Sequence, residues 1–292
     1  MTSTTEASDQ RQRFSPPLPP GRHVELPKRG RTFVRELPGP PGAPTLLLLH
    51  GWTASADLNW FTSYEALGRD YRVLALDHRG HGRGIRSSRP FRLSDCADDA
   101  AALVAELGCG PVIAVGYSMG GPVAQLLWRR HPDAVRGLVL CATARTFAGS
   151  AQERFGYLAM GGMALASRAV PGVARRRLAQ RFIGTRADDC SIEAWVMAEM
   201  QRNDWTKVLE AGNALGRFDS RPWIGELDVP AAVVATMNDG VVHPSRQLAL
   251  ARSIPEATLV RVDGDHTVCV TAPRLFVPAL RHACASVARR SR

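Results

Sequence analysis

Long apolar runs are missing: nothing in the sequence approaches the roughly 18 consecutive apolar residues that a bilayer-spanning helix needs. That excludes a transmembrane helix. The N-terminal stretch contains Glu6 and Asp9 and no apolar centre, so it does not read as a secretory leader, and a cytoplasmic chain is expected. Cysteine is sparse and scattered. Cys96, Cys109, Cys141, Cys190, Cys269 and Cys284 form no C-x-x-C pair and no zinc spacing with histidine, so free, mostly buried thiols and no metal site are expected. Lysine is confined to Lys28 and Lys207 although the formal net charge is +10. The excess is arginine, spread along the chain without an aromatic-rich reader motif, and no nucleic-acid partner is expected. One cluster, Arg175, Arg176, Arg177, Arg181 and Arg186 beside Val173, Leu178 and Phe182, has the make-up of a basic amphipathic helix. It would suit weak contact with a membrane surface or an acidic partner. No repeat is visible, and the pattern points to no particular oligomeric state.

What is present is ample for one large domain with an insertion: 292 residues, 45% hydrophobic and 22% charged. Residues 1–22 are polar and then proline-rich, too poor in apolar surface to order themselves, and are expected to form a disordered tail. His23 to Leu26 and Thr32 to Glu36 flank a Pro27-Lys28-Arg29-Gly30 turn and predict an edge hairpin. From Thr45 onward strand and helix signals alternate. Strands are expected over 45–49, 71–76, 111–115, 135–141, 231–236 and 257–262, and helices over 58–67, 94–107, 122–130, 244–253 and 273–288. Such alternation implies a mainly parallel sheet flanked by helices, joined by right-handed crossovers. Residues 145–224 break the pattern, with helical stretches and no convincing strand. They are expected to be a helical insertion in a core made of 23–144 and 225–292.

The most informative stretch runs from Val112 to Gly121, V-I-A-V-G-Y-S-M-G-G. Within it Gly116-Tyr117-Ser118-Met119-Gly120 is a G-x-S-x-G pattern, placed between an apolar β-branched run and a helical one. A serine at such a strand-to-helix turn is pushed out at the carboxyl end of the sheet, and glycines on either side allow the two elements to approach. Two further segments accompany it: Leu46-Leu47-Leu48-Leu49-His50-Gly51-Trp52 and Asp77-His78-Arg79-Gly80-His81-Gly82-Arg83-Gly84.

Together these three segments resemble the nucleophile elbow, the His-Gly strand end and the D-x-R-G-x-G loop of the α/β-hydrolase superfamily. The likeness extends over almost the whole chain beyond the tail. One departure is Gly84, where the family often has serine; it is expected to alter a loop and not the chemistry. The resemblance implies an α/β-hydrolase fold with a helical cap and a cofactor-free serine hydrolase. A serine hydroxyl needs a base, and the base an orienting acid. The family order of serine, acid, histidine points to Asp239, after the strand ending at Thr236, and to His266, after the strand ending at Val262. Asp263 and Asp265 lie too close to His266 in sequence to orient its ring easily, but stand next in line should Asp239 fail. His50, His78 and His81 fall in the loop motifs and read as structural or oxyanion-loop residues. The backbone N–H groups of Trp52 and Met119 are implied as donors to the developing oxyanion, with Thr53 as the neighbouring alternative.

The insertion is rich in soft and apolar side chains. Met160, Met163, Trp195 and Met200 are the candidates for an acyl pocket, against the plainer reading that they form the insertion's own core. The function expected is hydrolysis of a small apolar carboxylic ester or thioester through an acyl-enzyme. Alternatives with the same three residues are carbon–carbon bond hydrolysis and acyl transfer, and from another class a non-catalytic ligand-binding homologue. Tyr117 stands where the carbon–carbon hydrolases often have asparagine, which favours the ester.

Overall fold

The computed structural model describes residues 14–168 and 191–291. Eight strands form one sheet: β1 Gly21–Leu26, β2 Gly30–Leu37, β3 Thr45–Leu49, β4 Arg72–Leu76, β5 Val112–Tyr117, β6 Val135–Cys141, β7 Ala231–Thr236 and β8 Thr258–Val262. Their spatial order is β1-β2-β4-β3-β5-β6-β7-β8. The first two strands are an antiparallel hairpin at one edge, and all pairs from β4 through β8 are parallel. Every residue of β3, β5 and β7 is buried, which explains their unbroken apolar sequences: both faces of these strands are covered.

The helices are α1 Ala56–Trp60, α2 Tyr64–Gly68, α3 Leu93–Glu106, α4 Gly120–Arg130, α5 Ala151–Arg168, α6 Ile192–Gln201, α7 Trp205–Arg217, α8 Pro244–Ser253, α9 Val268–Thr271 and α10 Pro273–Arg290. They divide the core in two. On one face α3 and α4 pack against Leu47, Leu49, Ala114, Leu138 and Leu140; on the other α10 packs with Phe276, Leu280 and Cys284 against Leu46, Val115, Val139 and Val234. The alternating side chains of β3 and β5 serve one layer and then the other.

Several sequence expectations shift by a physical cause that the structure makes plain. The single helix expected over 58–67 is two short ones. The break at Phe61 to Ser63 is fixed by Thr62 Oγ1 donating to the Cys269 carbonyl at 2.7 Å and by Ser63 N donating to Trp60 O at 2.8 Å. Ser94 does not open its helix; Arg92 is the N-cap and offers no side-chain bond. Residues 14–20, expected to belong to the tail, lie against the body. Pro19 O accepts from Arg35 Nη1 at 2.7 Å and Pro20 O from Glu36 N at 3.1 Å, while Leu18 packs on the second core layer. Proline cannot donate, but its carbonyl is free to accept, and these carbonyls extend the sheet edge. The first 13 residues and the arginine cluster at 175–186 lie outside the described residues.

Between β6 and β7 the described chain is helical apart from one isolated bridge, Thr146 to Asp219. There α5 and α7 lie in close contact: a Cβ on Gly212 would stand 2.5 Å from Met160 Sδ, and one on Gly216 would overlap Tyr157. Among the described residues no helix is long and apolar enough to cross a membrane. Cys96, Cys141, Cys269 and Cys284 are buried and Cys109 is partly so, all as free thiols, with Cys190 outside the described residues. Burial pushes the Cys269 and Cys284 thiols up to about 12, so they remain protonated packing groups.

Candidate active site

The loops after β3, β4, β5, β7 and β8 all leave the carboxyl edge of the sheet, where the strand order reverses on either side of β3. Such a switch point leaves a crevice between loops that diverge to opposite sides. Ser118 sits there at the end of β5 with φ +51°, a left-handed backbone uncommon for a non-glycine residue. Its conformation is fixed on three sides. Ser118 N donates to Cys141 O at 2.9 Å, and Ser118 O accepts from Gly121 N at 2.9 Å and from Thr143 Oγ1 at 2.8 Å. A Cβ at Gly116 would overlap Gly120 O, one at Gly120 would overlap Leu49 O, and one at Gly121 the Thr143 side chain. The glycines are therefore demanded by the closeness of β5, α4 and β3.

Ser118, Asp239 and His266 are brought together from three loops. His266 Nε2 is 2.9 Å from Ser118 Oγ, and His266 Nδ1 is 2.7 Å from Asp239 Oδ2. A carboxylate can only accept, so Nδ1 carries the proton and Nε2 is left bare to accept from the serine hydroxyl. Asp239 is buried and fully engaged: Oδ1 accepts from Val241 N and Val242 N at 2.8 Å, and Oδ2 from Thr236 Oγ1 at 2.8 Å and Gln247 Nε2 at 3.1 Å. Burial alone would raise its pKa, but the His266 hydrogen bond and charge, with the Val242 and Thr236 donors, outweigh this and hold the carboxyl below its ordinary value. Asp263 and Asp265 face elsewhere, toward Asn238 Nδ2 and toward Thr267. Tyr117 donates its hydroxyl to His266 O at 2.8 Å, fixing the histidine loop from within the serine motif.

The loop after β3 runs beside the serine. A Cβ on Gly51 would be 3.4 Å from Ser118 Cβ, so the Gly51–Trp52 peptide lies against Ser118. His50 orients that peptide: Nδ1 donates to Gly51 O at 2.8 Å, and Nε2 accepts from His78 N at 2.9 Å. Among the described residues the N–H groups of Trp52 and Met119 have no protein acceptor. Thr53 follows with φ +63°. The far side of the loop is tied to the 77–84 segment, where Asp77 accepts from Ala56 N and Arg83 N, both at 2.7 Å. Arg83 Nη2 then reaches Asp57 Oδ2 at 2.6 Å, which Arg35 also holds at 2.8 Å. A Cβ at Gly84 would overlap His78 O, so serine does not fit this loop as folded, and the departure from the family pattern is a tighter turn.

Of the residues expected to line an acyl pocket, Met160 shares the space over Gly212 with the Trp52 indole, whose Nε1 donates to Val208 O at 2.8 Å. Trp195 packs edge-on against Phe61 with ring centroids 5.0 Å apart. Met200 is partly buried near the end of α6. Met163, on α5, is 52% exposed. Residues with no motif to mark them also shape the site: Thr143, Thr236, Gln247 and, from the helical segment between β6 and β7, Glu199 and Asn203. Among the described residues no group of three or more His, Cys, Asp or Glu side chains could hold a metal ion.

A family model described as alpha/beta hydrolase fold matches residues 44–167. A pimeloyl-(acyl-carrier protein) methyl ester esterase of Neisseria meningitidis is 30% identical over 224 residues, 76% of this chain and 85% of that protein. A poly(3-hydroxyalkanoate) depolymerase of Ectopseudomonas oleovorans is 29% identical over 271 residues, 89% of this chain and 90% of that protein. A solved hydrolase of Pseudomonas aeruginosa PA01 has the same fold, with a TM-score of 0.74 at 23% identity, covering 90% of this chain and 98% of that one. The chain belongs to the α/β-hydrolase family.

The histidines around the loop predict acid sensitivity. His50, His78 and His81 are buried, with the His50 ring 4.4 Å from His78 and 5.6 Å from His81 between centroids. Burial pushes His50 down to about 4 and His81 down to about 3, and burial with the neighbouring imidazoles takes His78 well below 6.5. The unfolded chain therefore takes up these protons first. Stability should be full above about pH 6.5 and fall progressively as pH drops below it, because the unfolded chain binds protons that the buried imidazoles do not. Urea unfolding from pH 7 to 4.5 measures the slope, and His78→Leu should flatten it by about one proton. Equal slopes in both proteins would contradict neutral burial of His78.

Proposed function

We propose that the protein is a serine hydrolase that cleaves a carboxylic ester or thioester of a mostly apolar acyl group. The observation that carries this reading is the unbroken relay from Ser118 Oγ through His266 to Asp239, at 2.9 and 2.7 Å. Ser118 Oγ attacks the substrate carbonyl as its proton passes to His266 Nε2. The oxygen that gains charge is received by Trp52 N–H and Met119 N–H, pre-oriented groups that need not reorganise as charge develops. Collapse of the tetrahedral adduct breaks the bond to the alcohol or thiol, which leaves with the proton from Nε2. Water then enters on the same face, gives its proton to Nε2 and releases the acid, and the serine recovers its proton. The closed hydrogen-bond shell of Asp239 keeps the carboxylate ionised and the ring in one tautomer throughout.

The names of the two curated relatives described above support an ester, while a putative carbamate hydrolase of Agrobacterium fabrum, 31% identical over 249 residues, extends the comparison to a carbamate; all three names are of hydrolytic enzymes, which supports hydrolysis over a non-catalytic role. In this reading residues 145–224 act as a cap over the core of 23–144 and 225–292. Met160, Trp195 and Met200 contribute the acyl side of the pocket, and Met163 borders it from the exposed flank of α5.

Ser118→Ala should stay folded, by an unchanged melting temperature, and lose roughly 10⁴-fold or more in kcat toward p-nitrophenyl butyrate. Turnover near that of the wild type in a folded variant would remove the mechanism. For the pocket, lengthening the p-nitrophenyl ester should strengthen binding by up to about 0.8 kcal/mol per buried CH₂ until the space is filled. Trp195→Ala should move the preferred length upward. If its role is confined to packing on Phe61, the same variant will lose stability by roughly 3 to 5 kcal/mol and keep its length profile.

A further inference from the structure

The insertion is hydrogen-bonded to the loop that carries Trp52, through side chains that no sequence motif marks. Trp52 Nε1 donates to Val208 O at 2.8 Å, Ser55 Oγ to Glu199 Oε2 at 2.8 Å, and Asn203 Nδ2 to Thr53 O at 2.6 Å. Asn203 has a second partner, since its Oδ1 accepts from Gly82 N at 2.7 Å. The Gly82 N–H can only donate and the Thr53 carbonyl can only accept, so these partners fix which way the amide is turned. Asn203 is 7% exposed, Ser55 and Glu199 are buried, and Asp204 N adds a backbone bond to Gly80 O at 2.9 Å. The end of α6 is thereby joined to two loops of the core at once.

Both loops are held in left-handed backbone at the joint, with Thr53 at φ +63° and Gly82 at φ +48°. For glycine this is easy. For a β-branched threonine it is a strained conformation that persists only while its surroundings hold it. Three groups do so along consecutive residues: His50 binds the Gly51 carbonyl, Val208 O binds the Trp52 indole, and Asn203 binds the Thr53 carbonyl. The Trp52 N–H lies between the first and the last of these anchors. Releasing Thr53 O frees the ψ angle of Thr53 and lets the threonine relax; the Trp52–Thr53 peptide before it can then turn, which leaves the Gly51–Trp52 peptide, the one that carries the Trp52 N–H, anchored by His50 on one side only.

We propose that Asn203 is a positioning residue for the reaction: by holding Thr53 O it fixes the direction of the Trp52 N–H toward the oxyanion. This rests on the serine-hydrolase reading and assigns the insertion a part in it. When the insertion is docked the donor pair is complete, and withdrawal of α6 would remove an anchor from one donor.

Two variants separate positioning from mere support. Asn203→Ala removes both bonds. Asn203→Asp keeps an acceptor for Gly82 N but loses the donor to Thr53 O, setting a buried carboxylate oxygen against that carbonyl in its place. Both should lower kcat for p-nitrophenyl butyrate by about 10- to 100-fold with KM within about twofold, because the lost interaction belongs to the transition state. Inhibition by 1,1,1-trifluoro-2-octanone, whose serine adduct bears an oxyanion, should weaken by a similar factor. Thermal melting is followed alongside, and the Asp variant carries the test if the Ala variant does not fold. The inference is overturned if Asn203→Asp keeps wild-type kcat and inhibitor affinity, or if the loss is confined to KM or tracks a fall in melting temperature alone. If instead the wild type hydrolyses the ester no faster than Ser118→Ala, the serine-hydrolase reading fails and takes the inference with it.

Discussion

A serine held in left-handed backbone at the end of β5 is the constraint on which the carboxyl edge depends. The conformation turns the chain from strand to helix within a few residues and points the side chain out over the sheet. It is tolerable because three glycines remove the Cβ atoms that would collide, and because Cys141 O, Gly121 N and Thr143 Oγ1 satisfy the backbone of Ser118. Those partners come from β6, α4 and the turn after β6, so the order of the central strands is itself a condition for the geometry. His266 and Asp239 then arrive from the next two strand ends, and the distance between them is set by the parallel pairing of β7 with β8. In the proposed mechanism this means that the nucleophile's position is a property of the sheet, while the base and acid are adjustable loops pinned by Tyr117, Thr236 and Gln247.

The second requirement is electrostatic. Asp57 and Asp77 are buried beside the loop after β3, where an unpaired carboxylate would be costly. Arg35 and Arg83 face them, and backbone N–H groups of Ala56 and Arg83 take the remaining positions on Asp77. Burial still raises the Asp77 pKa, while Asp57, with two guanidinium partners, is held below its ordinary value although burial acts the other way. Such a network gives little net stability compared with apolar packing, but breaking one member leaves a buried charge alone. Its geometric consequence is a fixed separation between the loop bearing Trp52 and the loop bearing Gly82. That separation is the one Asn203 spans.

Much of this was legible in the sequence for a simple reason. Short unbroken apolar runs such as Thr45–Leu49 and Ala231–Thr236, with proline or glycine punctuating their ends, have the length and flanks of strands covered on both sides, so the sheet and its helices followed from pattern. Ser118, Asp239 and His266 could be singled out because the family fixes an order along the chain and each falls just past a strand, and the structure brings them within hydrogen-bonding distance. Contacts between distant segments leave no such trace. Nothing in the sequence ties Asn203 to Thr53 or Gln247 to Asp239, since the polar side chains there look like any others on a helix end or a loop. Methionine and tryptophan in the insertion announced apolar surface but not which side of a helix bears it. Met160 and Met163 are three residues apart on α5, yet one shares the space over Gly212 with Trp52 and the other faces outward. The residues after Phe14 were misread because prolines suggested disorder, whereas their carbonyls could still serve the sheet edge.

The central claim is that Ser118 is the nucleophile of a covalent mechanism, and its most direct test is stoichiometric labelling by diethyl p-nitrophenyl phosphate followed by peptide mass mapping. The account predicts one diethylphosphoryl group per chain, attached at Ser118, with p-nitrophenolate released one for one as esterase activity disappears. A label on another residue, or full activity in protein whose Ser118 is already phosphorylated, would contradict it.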